Sequence, residues 1–161
     1  MGLLARGRGL LLGGGRPRRV LLVSTGVLLS LASVAFLLGA NIGFFEIPWV
    51  WLSLMPLLPF VAGVLRAGLL PAVVSLWLVR VWLHVFPPLV GYLSGAWTGT
   101  GRYTTPRRTA YMYGSARAEL LGGLETTLQF GVAFAFVVGT VAYGLGALLR
   151  SVTAGGKLIE S

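Results

Sequence analysis

Residues 126–149 read TTLQFGVAFAFVVGTVAYGLGALL, 24 residues without a charge. An α-helix needs about 20 such residues to cross a hydrocarbon core. Glu125 precedes the run and Arg150 follows it, the signs that suit a helix N-terminus and C-terminus. Gly131, Ala135, Gly139, Ala142 and Gly146 recur at spacings of 4, 4, 3 and 4. Small residues on one stripe let a second helix approach closely. This helix-packing stripe meets either another helix of the same chain or a partner.

Three more apolar runs lie upstream. Val20–Ala40 has 21 residues, about 31 Å of helix, with Gly26, Ser30 and Ser33 on one face. Residues 49–65 form a shorter run that contains Pro56 and Pro59. It reads as a short kinked span, with a re-entrant hairpin as the alternative. Residues 69–93 form the third run, continued through Pro87 and Pro88. The fold class expected is all-α: a polytopic integral membrane protein, a four-transmembrane-helix bundle with spans near 20–40, 49–65, 69–93 and 126–149. A basic, Gly/Arg-rich leader covers 1–19, a basic loop covers 94–124, and a short polar tail covers 151–161. The 94–124 stretch shows no clear apolar face at helical period.

Composition agrees. The chain has 161 residues, 56% hydrophobic and only 11% charged, with a mean hydropathy of +0.86. Soluble domains carry about 25% charged residues. This excludes a disordered chain, a coiled coil and an ordinary soluble globule. Arg18-Arg19 ahead of the first run weakly resembles an export signal, and Ser33-Val34-Ala35 a cleavage site. The run continues to spanning length, which favours an uncleaved helix.

Thirteen Lys and Arg against four acidic residues give a net charge of +9. Most of the basic residues flank apolar runs, where they act as anchors and topology signals rather than as a nucleic-acid footprint. Arg6, Arg8, Arg16, Arg18 and Arg19 argue for a cytoplasmic N-terminus in the cell membrane. Four spans then place eight basic residues inside and four outside; the re-entrant alternative places nine inside and three outside.

The chemistry available is narrow. The chain has no Cys and a single His, so disulfides, thiolate sites and His-rich metal clusters are excluded. There is no Asp, which excludes a Ser-His-Asp triad. The lone imidazole, His84, with Met55 as a distant second ligand, makes a poor haem site. Leu12-Gly13-Gly14-Gly15-Arg16 lacks the Lys-Ser/Thr ending of a phosphate loop. No cofactor and no metal is expected. Glu46 and Glu125 lie at run ends, where water reaches them.

Arg80 and His84 are the candidate intramembrane polar site. They sit inside the third run, four residues apart, and so share a helix face. An arginine within a span costs at least about 2.5 kcal/mol near the centre. It marks either an anion-interacting pocket or a side chain that snorkels to the headgroups. The expected function is a non-enzymatic accessory or assembly subunit of a larger membrane complex. Its partners are the lipid bilayer and other membrane-protein subunits or itself, with no nucleic acid. The alternative is a homo-oligomeric channel or small transporter using Arg80 and His84.

The cysteine-free chain gives a direct topology test. Single cysteines introduced at Thr100 and Ser151 are expected to differ: a membrane-impermeant thiol reagent added outside labels position 100 and spares 151. The reverse pattern would establish the re-entrant topology.

Overall fold

The computed structural model describes residues 9–44, 46–99, 101–106 and 114–156. Arg6, Arg8, Phe45, Thr100, Arg107, Arg108, Tyr111, Tyr113 and Lys157 lie outside them. Among the described residues every regular element is helical. Four helices are long and apolar enough to cross a membrane: Gly9–Leu37, Pro48–Leu65, Leu69–Ser94 and Ala116–Ala154.

Helix α1 covers Gly15–Leu37. It starts ahead of the apolar run, so Arg16, Arg18 and Arg19 occupy its first two turns instead of a separate leader. Pro17 is no obstacle there, because the first turn has no internal acceptor for an N–H. Helix α2 covers Pro48–Leu65 without interruption at Pro56 or Pro59. The chain therefore forms a single helix here and not a hairpin. Arg66 closes it in the left-handed region at φ 56°. The Arg66 and Ala67 amides donate to the Gly63 and Ala62 carbonyls at 3.2 and 2.9 Å, the type of closure that satisfies orphan carbonyls.

Helix α3 covers Leu69–Ser94 and runs through Pro87 and Pro88. Helix α4 covers Ala116–Thr126, a π-helical turn covers Thr127–Gly131, and α5 covers Val132–Gly156. These last three form one continuous helix. Two expectations change as a result. The connection after α3 is shorter than 94–124, because Ser115 starts a helix by accepting the Ala118 amide at 3.1 Å. Glu125 and Arg150 also lie well inside the helix and do not stabilise its ends.

Three contacts set the topology. The Gly14 amide donates to the Arg66 carbonyl at 3.1 Å, tying the start of α1 to the α2–α3 turn. Arg150 Nη1 donates to the Val64 carbonyl at 2.9 Å, tying α5 to the end of α2. Arg102 donates to the Phe36 carbonyl, tying the 95–115 connection to the end of α1. The start of α1, the α2–α3 turn and the end of α5 therefore share one end of the bundle, the basal end. The two longer connections, 38–47 and 95–115, share the other, the loop end.

Helix α3 is the central element and contacts every other helix. Its two halves are packed differently. Toward the loop end Trp82 stacks on Trp51 at 5.1 Å and on Phe86 at 5.4 Å, and Phe36 meets Trp82, Phe86 and Tyr103 edge-on. The indole N–H groups are satisfied as buried Trp requires: Trp51 donates to the Ile42 carbonyl and Trp82 to Ser33 Oγ, both at 2.8 Å. Toward the basal end the core is small: Ala62, Ala67, Ala72, Leu21 and Tyr143. There α2 and α5 touch backbone to backbone. A Cβ added at Gly63 would overlap the Tyr143 carbonyl, and one at Gly146 the Phe60 carbonyl.

Gly146→Leu is expected to lower the thermal midpoint of the detergent-purified protein by several degrees, because the overlapping atoms are backbone and cannot rotate away. Overpacking of this kind costs about 1–3 kcal/mol or more. Gly144→Ala is the control. A Cβ at Gly144 meets nothing within 4 Å, so the midpoint is expected to hold or rise.

Candidate functional site

The site is built from α3 outward. Arg80 and His84 are one turn apart on its mid-section, as expected of their spacing. Both line a cavity of about 280 Å³ with Phe44, Met55, Pro106, Phe130 and Phe134. Met55 comes from α2, and Phe130 and Phe134 come from the π turn and α5. Phe44 and Pro106 come from the two loop-end connections. The cavity therefore lies between three helices and beneath two loops.

Arg80 is half-buried, with its Cζ 4.5 Å from the centroid of the Phe134 ring. The guanidinium is turned between the helices toward α5. Stacking on an aromatic face leaves the N–H fork pointing in the guanidinium plane. His84 is 4% exposed, and its Nδ1 lies 2.9 Å from the Arg80 carbonyl. A carbonyl oxygen only accepts, so Nδ1 carries the proton in this bond and Nε2 is the ring's second hydrogen-bonding position.

The wall behind His84 is held by a close approach. A Cβ at Gly123 would overlap the His84 carbonyl and crowd the Thr105 methyl. Beside it lies Glu119, fully buried. Its Oε1 accepts the Thr105 amide at 2.7 Å and the Thr105 hydroxyl at 2.8 Å. This fixes the segment that carries Pro106 over the cavity. Sequence reading gave Glu119 no role. Its signal was the pair Gly114-Ser115 with an acidic residue in the following turn, which marks a helix start.

The π turn has a local cause. Trp77 Nε1 donates to the Thr127 carbonyl at 3.2 Å, and Thr127 Oγ1 donates to the Gly123 carbonyl at 2.7 Å. A side chain that takes a carbonyl from the i→i−4 ladder loosens the helix there. The result carries Phe130 to the cavity wall.

The small-residue stripe of α5 faces α2 and α3 of the same chain. Gly146 lies on Phe60, Gly139 against Val73 and Gly131 near Trp77, while Ala135 and Ala142 are buried. Of the small residues Gly26, Ser30 and Ser33 on α1, Ser33 packs inward, while Gly26 and Ser30 are exposed. Glu46 is exposed. Glu125 is also exposed and accepts Gln129 Nε2 at 3.1 Å. Among the described residues no three His, Cys, Asp or Glu side chains gather.

The chain matches no known family model, no curated protein and no solved structure. The functional reading therefore rests on the geometry.

Glu119→Ala is expected to free the 95–115 connection, since it strands the buried Thr105 amide at a cost of about 1–3 kcal/mol. Trypsin should then cut after Arg102 faster than in the unaltered protein. Equal cleavage rates would show that Glu119 does not hold the loop.

Proposed function

We propose that the chain is a multi-pass integral membrane protein without catalytic chemistry, acting as an accessory or assembly subunit of a larger membrane complex. The observation that carries this reading is the outward face of α4 and the π turn. Leu121, Leu128 and Val132 are exposed there, and between them stands the Glu125–Gln129 pair. Thr127 is bonded to Trp77 and Gly123 lies against His84. Glu125 is thus level with the middle of α3, on a wall that would otherwise face lipid. A carboxylate at that position is costly in hydrocarbon and marks a contact site. The partner suited to it is a membrane helix that presents a hydrogen-bond donor or a cation at the same depth.

The membrane assignment rests on the outer wall as a whole. Leu31, Leu38, Leu93, Phe136, Val137, Val141 and Leu148 are all more than half exposed. A soluble monomer rarely exposes such a continuous apolar surface. Arg16, Arg18, Arg19, Arg66 and Arg150 gather at the basal end, against Arg102 and Arg117 at the loop end among the described residues. That bias supports a cell-membrane protein with its basal end and N-terminus in the cytoplasm.

The packed α5 stripe no longer speaks for a partner, because α2 and α3 occupy it. A second reading, a small transporter or a homo-oligomeric channel, is favoured by the Arg80–His84 cavity.

The test is co-purification from native membranes in mild detergent. The tagged chain is expected to bring down a different membrane protein at fixed stoichiometry. Glu125→Leu should lose that protein while still eluting as a folded species. Recovery of a homo-oligomer or a monomer alone would overturn the accessory reading.

A further inference from the structure

We infer that the cleft at the basal end of the bundle binds one anionic phospholipid, its headgroup phosphate held between Arg66 and Arg150. The inference rests on the membrane assignment and is independent of the accessory reading. Three features carry it.

The first is the place of the two arginines. The cleft lies between the start of α1, the α2–α3 turn and the end of α5, and has a volume of about 780 Å³. Arg66 and Arg150 both line it. Arg150 Nη1 donates to the Val64 carbonyl at 2.9 Å, which fixes the guanidinium and leaves Nε and Nη2 as further donors. Arg66 is exposed, and among the described residues it is engaged through its backbone: its amide donates to the Gly63 carbonyl and its carbonyl accepts the Gly14 amide. The described acidic residues lie elsewhere: Glu46 in the 38–47 connection, Glu119 on Thr105, and Glu125 level with the middle of α3. The charge of the cleft is reinforced by Arg16, Arg18 and Arg19 in the first two turns of α1. Basic pockets between membrane helices on the cytoplasmic side suit phospholipid headgroups, and guanidinium forks match the phosphate oxygens.

The second is the conformation of Arg66. It holds φ 56°, the one non-glycine residue in the left-handed region among the described residues. Glycine takes this conformation without strain and arginine does not. A helix end of this kind usually carries glycine, so the arginine works against its own backbone. Strain at one position points to a use for the side chain that causes it.

The third is the rest of the lining. Ala147 and Tyr143 lie about one and two turns inward of Arg150 and continue the cleft into the bundle, with Pro17 and Leu65 beside them. Leu65 is also exposed. An apolar wall next to two cations suits an amphiphile and not a hydrated free anion. A phospholipid lies in the leaflet beside this wall and enters sideways, past Leu65 and Ala147. At ~30 Å³ for each water-sized group, 780 Å³ holds about 26 of them. That is room for a phosphoglycerol headgroup and the first carbons of its chains.

The experiment is native mass spectrometry of the purified full-length chain in detergent with added dioleoyl phosphatidylglycerol. The expected result is one lipid retained per chain, with dioleoyl phosphatidylcholine retained at least tenfold less at the same concentration. Arg66→Gly should weaken retention at least tenfold, while the thermal midpoint without lipid holds or rises because the strain is relieved. Arg19→Gln, on α1 but outside the cleft lining, should change retention less than twofold. An equal loss in Arg19→Gln would overturn the cleft in favour of diffuse charge attraction. Equal retention of phosphatidylcholine would overturn the role of the two arginines, and displacement by inorganic phosphate at the same concentration that of the apolar wall. No retained phosphatidylglycerol, the result if the chain's own termini fill the cleft, would overturn the site itself. If Arg66→Gly fails to elute as a folded species, the two lipids compared on the wild-type chain and on Arg19→Gln decide the question.

Discussion

The backbone contact of α2 with α5 at Gly63 and Gly146 is the constraint on which the other packing depends. Two helices that meet with no side chain between them are as close as helices come. Membrane bundles rely on such contacts, because lipid offers little hydrophobic drive for helix association. Here the contact lies at the basal end only, beside the α2–α3 turn. Farther along, the same helices place Met55 and Phe134 where the glycines had been. Helix α3 packs against both there, with Trp82 stacked on Trp51 of α2 and Arg80 over Phe134 of α5. The cavity is the space that remains when a glycine contact at one end gives way to an aromatic wedge at the other.

At the centre of the bundle, the two indoles of the α3 mid-section and its histidine are each hydrogen-bonded. Ser33 accepts from Trp82, the Thr127 carbonyl from Trp77, and the Arg80 carbonyl bonds His84. The first two bonds also fix the level of a neighbouring helix against α3. An apolar core alone would allow these helices to slide, whereas buried polar pairs select one register. Arg102 acts similarly at the rim: it donates to the Phe36 carbonyl in the last turn of α1 and lies over the Phe36 ring at 4.3 Å. A cation at a helix C-terminus is favourable, and this one also draws the 95–115 connection down onto the bundle.

The four long helices were legible in the sequence because length and absence of charge are one-dimensional properties. The shared face of Arg80 and His84 was legible for the same reason, since i and i+4 meet in any α-helix. Residues from Phe44 and Pro106 are brought over the site by loops, and no spacing rule reports that. The helix start at Ser115 was obscured because α4 combines a buried Glu119 with exposed Leu121 and Leu124. Its apolar side chains do not define its buried face. Charge placement also misled at Glu125 and Arg150. Both suit the ends of an apolar run, but the helix continues past them in each direction.

The path from α4 into α5 shows what the pattern did contain. Glu119, Gly123, Thr127, Gly131 and Ala135 are all buried, each four residues from the last. In a regular α-helix a step of four overshoots a full turn by about 40°, so four such steps would drift about 160° off any one face. Keeping such a row against one neighbour calls for an irregular turn or a helix that wraps around that neighbour. The π turn takes more residues per revolution and absorbs part of the drift. It forms where Trp77 and Thr127 draw carbonyls out of the ladder. One helix can therefore keep Gly123 against His84 and Gly146 against Phe60 while holding Glu125 outward. The inward cation and the outward carboxylate lie at about the same level of the bundle, since Thr127 bonds Trp77 and Gly123 lies against His84 on either side of Glu125.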